Sequence, residues 1–132
     1  MNNTKEMMKG YVSINDNSFA VSLALTEEEQ TSGLMHIEPP LTSMAFVYPK
    51  PQINRFWMRN VKDNLDILFC YKGRIIDIVN AEAQSNRLLG KDVFTDLIIE
   101  FPTHIHDKFD FKVGDNVKMS LSKEAVKKLL SY

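Results

Sequence analysis

The run Leu65-Asp66-Ile67-Leu68-Phe69-Cys70-Tyr71 is apolar at both odd and even positions apart from Asp66. A strand of this kind has no face to offer water. It must lie inside a sheet with apolar material on both sides. One fully covered strand requires two apolar layers around the sheet that contains it, and the rest of the chain has to supply them.

The remaining segments suit that task. Phe19, Val21, Leu23 and Leu25 alternate with Ala20, Ser22 and Ala24, the two-residue period of a strand with one buried face. Tyr11 to Ile14 reads as its hairpin partner through the turn residues Asn15-Asp16-Asn17. Ala45 to Tyr48 predicts a short strand ended by Pro49-Lys50-Pro51, and Arg55 to Arg59 predicts another. Lys72-Gly73 turns the chain from Leu65–Tyr71 into Arg74–Val79. Ala83 to Asp92 is polar and loop-like, Asp96 to Phe101 predicts a strand, and Val117, Met119 and Leu121 mark the last one after the turn Gly114-Asp115-Asn116.

Helices are few. Thr26-Glu27-Glu28-Glu29 has the form of a capping box, with acids suited to a helix N-terminus and Gly33 as the stop. Ser122 caps a C-terminal helix with a stripe of Val126, Leu129 and Leu130, and Lys123, Lys127 and Lys128 on its solvated face. The expected fold is mainly β: a single compact β-sandwich or barrel with two or three short helices. Residues 1–132 read as one domain, of a length sufficient for a real core.

Bulk properties exclude some functions. Lys and Arg number 16 against 17 Asp and Glu, which argues against a phosphate-neutralising nucleic-acid binder. No apolar run reaches membrane-spanning length. Met1 to Glu6 lacks the apolar segment of a signal peptide, so the expected location is cytoplasmic. Cys70 is the single cysteine and reads as a small buried hydrophobe. There is no Gly-rich phosphate loop, nucleophile elbow or paired-Cys motif, and no cofactor is implied.

The residues with chemistry cluster around the covered strand. Phe56-Trp57-Met58-Arg59-Asn60-Val61 places polar groups between two apolar runs, where they must find hydrogen bonds. In an extended segment Phe56, Met58 and Asn60 share one face and Trp57 and Arg59 the other. Asn60 and Asp66 either tie the loop amides between Val61 and Asn64 or form, with Trp57 and Met58, a pocket with an aromatic floor. Asp66 and Glu100 form a conceivable carboxylate pair for hydrolysis. His104-Ile105-His106-Asp107 invites a metal reading, but no third and fourth ligand can be named, and the simpler reading is a polar loop or helical turn.

Several of these elements resemble one known family. Val21-Ser22-Leu23-Ala24 and Thr26-Glu27-Glu28-Glu29-Gln30 resemble its opening strand and helix, and Gly33-Leu34-Met35 its Gly-Leu-Met signature. Met44-Ala45-Phe46-Val47, Phe56-Trp57-Met58, Leu65-Asp66, Ile98-Ile99-Glu100-Phe101 and Gly114-Asp115 follow in the family's order, over about 19–121. The family is the domain-of-unknown-function family 192. The resemblance implies a compact jelly-roll-like β-sandwich; it implies no reaction, and most members look exported. Together the residues point to a binding or interaction module for a small ligand or peptide. The candidate site is Trp57, Met58, Asn60, Asp66 and Glu100. The alternatives are a hydrolase using Asp66 and Glu100, and an accessory protein that docks on a larger assembly.

Overall fold

The hairpins are set by residues that tolerate a left-handed backbone. Asn15 and Asp16 have φ of 48° and 71°, and Lys72 and Gly73 have 48° and 78°. Two successive positive φ values give the turn whose twist matches that of paired strands. The first turn joins β1 (Lys9–Ile14) to β2 (Asn17–Ala24), and the second joins β4 (Leu65–Tyr71) to β5 (Arg74–Ala81). The computed structural model describes residues 7–106 and 109–131.

Between the hairpins, β2 leads through α1 (Glu27–Ser32) to β3 (Met44–Ile53), which pairs parallel to β2; β6 is Phe94–Pro102 and β7 Val117–Ser120. α2 (Thr103–His106) follows β6, and α3 (Lys123–Leu130) ends the described chain. The strands form one seven-stranded sheet in the order β5-β4-β6-β3-β2-β1-β7. It curls into a half-barrel. Its edges meet where the Ile75 amide donates to Asp115 O and the Val117 amide to Gly73 O, at 3.0 and 2.8 Å.

This mainly β fold with short helices is the one the alternation predicts. β4 lies between β5 and β6, and all its residues but Tyr71 are buried. Its two faces serve two apolar clusters. The inner cluster takes side chains from all seven strands, among them Val12, Leu23, Leu68, Ile99, Phe101 and Val117, with Ala125 and Leu129 of α3. The outer cluster holds Met44, Phe46, Leu65, Ile67, Phe69 and Ile98 beneath Leu34, Leu41, Met58, Val61 and Leu89 from the loops.

Local structure departs from the sequence reading in four places. β3 continues past Tyr48 to Ile53, because its register with β6 shifts between Val47 and Gln52 and leaves Pro49 and Pro51 without ladder positions to fill. Arg55 to Arg59 is a covering loop rather than a strand; Phe56 makes a single bridge to Leu89. In α3 only Ala125 and Leu129 are buried, while Leu130 is exposed, so the expected stripe is narrower. Lys128 is turned toward α1 instead of belonging to a fully solvated face.

Candidate functional site

The outer face of the sheet is covered unevenly. α1 and the turn after it stand on one side, the 54–57 loop on the other, and between them an open pocket of about 390 Å³ reaches down to β3 and β6. α1 is placed by its predicted cap: the Glu29 amide donates to Thr26 Oγ1, and the Glu29 carboxylate accepts from the Thr26 amide. Gly33 then turns the chain with φ 49° and brings Leu34 and Met35 to the wall. The opposite wall is held by Gly90. Its φ is 112°, and a Cβ there would lie 2.8 Å from Asn54 O. That close approach lets Arg55 donate to Gly90 O at 2.7 Å and pair with Asp92.

Phe46, Phe56 and Trp57 give the pocket its aromatic surface. Phe46 and Phe56 meet edge to face, with centroids 5.2 Å apart. Trp57 stands half exposed at the rim, with the Arg59 guanidinium 4.3 Å above its ring. Tyr48 and Glu100 lie at the base. Glu100 is 5% exposed, and its carboxyl makes no hydrogen bond or ion pair among the described residues. Burial in this apolar setting pushes its pKa up to about 8. Burial, then the nearby Glu100, raises the Tyr48 phenol above its ordinary value.

The candidate residues divide. Trp57 and Glu100 line the pocket; Met58 is fully packed in the outer cluster and serves as core. Asn60 acts through its backbone. It holds φ 62°, and its carbonyl accepts from the His36 amide at 2.8 Å. Other side chains reach the loop amides: that of Asn64 donates to Asp63 Oδ1 at 2.9 Å, and that of Ala83 to Asn64 Oδ1 at 2.8 Å. Asp66 is buried beside a separate concavity lined by Asn64, Asn80, Glu82 and Thr103.

Asp66 and Glu100 do not meet across a cleft. Asp66 pairs with Phe101 of the inner cluster, and Glu100 pairs with Ile67 of the outer cluster. Paired residues share a face, so the two carboxyls leave the sheet in opposite directions. This geometry does not support hydrolysis by that pair. Asp107 and the side chains of His104 and His106 lie outside the described residues. Among the described residues no group of three or more His, Cys, Asp or Glu is placed to hold a metal. Cys70 is buried, and burial raises its thiol, followed in effect by Asp96.

Sequence reasoning missed Tyr48, Gln30 and Arg55 as pocket residues. For Tyr48 the signal was present, since it shares strand parity with Met44 and Phe46. Gln30 and Arg55 reach the pocket through turns whose direction no local period encodes.

The model of the domain-of-unknown-function family 192, described as "Uncharacterized ACR", matches residues 10–119. The chain belongs to this family. Two solved structures share its fold. One is a "putative transcription regulator" from Sinorhizobium meliloti 1021, 21% identical, covering 86% of this chain and 95% of its own, with a TM-score of 0.78. The other is a protein of unknown function from Novosphingobium aromaticivorans DSM 12444, 28% identical, covering 85% of this chain and 84% of its own, with a TM-score of 0.71. No curated protein matches the chain. Among the described residues no helix of this family 192 protein is long and apolar enough to cross a membrane.

Proposed function

We propose that this protein is a binding module for a small ligand, and that its site is the outer-face pocket floored by Glu100 and Tyr48 and edged by Trp57. One observation carries the reading. Gln30, the Gly33-Leu34-Met35 turn, Phe46, Phe56-Trp57 and Glu100 come from separate stretches of the chain and line one pocket. A concavity that brings aromatic faces, convergent polar groups and a titration-shifted carboxyl together is a form that small-ligand sites take.

A screen of small fragments by Trp57 fluorescence and thermal shift tests it. Binders should raise the melting temperature, and Trp57→Ala and Glu100→Gln should each weaken them at least tenfold. Binders untouched by both substitutions would place the site elsewhere.

A further inference from the structure

The charged and aromatic groups of the pocket, with its hydrogen bonds, narrow its ligand. Gln30 Nε2 gives its hydrogens to Ala24 O and Val47 O, at 3.2 and 3.1 Å. Asn54 Nδ2 gives its own to Gln52 O and Thr95 Oγ1, at 3.3 and 2.7 Å. The Arg55 guanidinium is turned to Gly90 O and Asp92. An amide has two N–H hydrogens to give, so these two amides present no further donor. The lining keeps Gln30 Oε1 as an acceptor; the Glu100 carboxyl and the Tyr48 hydroxyl accept and, while protonated, also donate, and Gln52, whose Nε2 bonds Asn54 Oδ1, has a second amide hydrogen to give. The hydroxyls of Thr31 and Ser32 at the rim can turn either way.

We infer that this pocket selects a compact protonated organic amine, with the ammonium on Glu100 and its carbon stem against Phe46, Phe56 and Trp57. The inference rests on the reading of the pocket as a ligand site and adds the ligand's chemistry. An anion would meet Glu27 and Glu100 in a pocket whose lining cation, Arg55, is already paired with Asp92. A polyol could share hydrogen bonds with this lining but brings no charge for the carboxyl. An ammonium brings donors only, supplies the charge partner that the buried carboxyl lacks among the described residues, and gains from aromatic faces. The charge balance agrees, because the positive Arg55 is already answered by Asp92.

Binding would be linked to a proton. With no ligand beside it, burial keeps Glu100 protonated up to about pH 8. The titratable and charged groups around it are Tyr48 from β3, Glu27 from α1 and Arg55 from the facing loop, while neighbouring β4 presents Ile67. An ammonium held against the carboxyl favours the ionised form, so the proton leaves as the amine enters.

The test uses n-butylammonium, with 1-butanol and butyrate as neutral and anionic counterparts, read by NMR at the Trp57 indole and the Glu100 carboxyl carbon. Butylammonium should bind at least tenfold more tightly than either counterpart at pH 8. Its affinity should rise about tenfold from pH 6 to 7 as the linked proton becomes easier to release. Glu100→Gln, which keeps the shape of the side chain, should remove both the preference and the pH dependence. Nα-acetyl-lysine methylamide carries the same ammonium on a peptide backbone. Binding as tight as butylammonium assigns a lysine side chain as the source, weaker binding assigns a free amine, and both uphold the ammonium. Equal binding of butylammonium and 1-butanol, or undiminished binding to Glu100→Gln, overturns the inference. If another fragment moves the Trp57 and Glu100 signals saturably while butylammonium does not, the amine is wrong and the ligand site stands. If nothing moves them, both readings fall.

Discussion

Lys128 Nζ donates to Glu29 Oε2 at 2.7 Å and so ties the last helix to the first. The same carboxylate accepts from the amides of Leu25 and Thr26 through its other oxygen. Glu29 therefore closes the cap of α1 and anchors α3 with one side chain.

Both partners are largely buried, with side chains 23% and 10% exposed for Lys128 and Glu29. Lys128→Met keeps the stem and removes the charge, and it should cost about 1–2 kcal/mol at pH 7. Burial alone would raise the Glu29 pKa, but the Lys128 and amide hydrogen bonds outweigh it and hold the carboxyl below its ordinary value. A depressed folded-state pKa gives stability that is present above the unfolded value, about 4.3, and is lost as pH falls through the folded one. Urea melts should show the gap between wild type and Lys128→Met at pH 7 and a smaller gap below about pH 4. A gap that stays constant with pH would mean that Lys128 acts only by packing.

Trp57 and Met58 are neighbours with opposite roles, and substitution should separate them. Met58 is 1% exposed in the outer cluster, so Met58→Ala should cost about 2–5 kcal/mol, the range for emptying a core position. Trp57 is 50% exposed, so Trp57→Ala should change stability by less than about 0.5 kcal/mol. Thermal melts of the two variants check this directly. A large loss from Trp57→Ala would make the indole a structural prop rather than a pocket edge.

Much of this frame is legible in the sequence because local chemistry decides it. Asn15-Asp16 and Lys72-Gly73 accept positive φ, Thr26 and Glu29 cap each other, and the apolar parity of Leu65–Tyr71 demands cover on both faces. Other features depend on what distant segments bring. Arg55–Arg59 looks like a strand, yet among the described residues its only ladder partner is Leu89. Asp66 and Glu100 look like a possible pair until the register sets Asp66 beside Phe101 and Glu100 beside Ile67. Among the described residues Glu100 has no polar partner because of which side chains other segments place around it, and no spacing along the chain encodes that.

Asn60 offers a test of backbone against side chain. With φ 62° it sits where a Cβ is disfavoured, and its carbonyl holds the His36 amide. Asn60→Ala should cost about 1 kcal/mol through the backbone alone. Asn60→Gly keeps the conformation without strain and should fall within about 0.5 kcal/mol of wild type. If denaturant melts instead show Gly as costly as Ala, the amide side chain carries the effect.

Glu100 yields the clearest pH signature. Its pKa rises from an ordinary carboxyl value to about 8 because burial disfavours the charged form. Between the unfolded and folded pKa values the folded state holds a proton that the unfolded state releases. Stability therefore falls as pH climbs from about 4.3 toward 8 and levels off above that. Glu100→Gln carries no proton to lose. It should match wild type near pH 4 and become progressively more stable than wild type toward pH 8, with an upper bound of about 5 kcal/mol set by the size of the shift. Global unfolding in urea across that range, monitored by circular dichroism, measures the difference. A wild-type curve parallel to that of Glu100→Gln would show that Glu100 ionises freely in the folded protein. Its carboxyl would then be well solvated, and the account of a buried acid at the base of the pocket would fail.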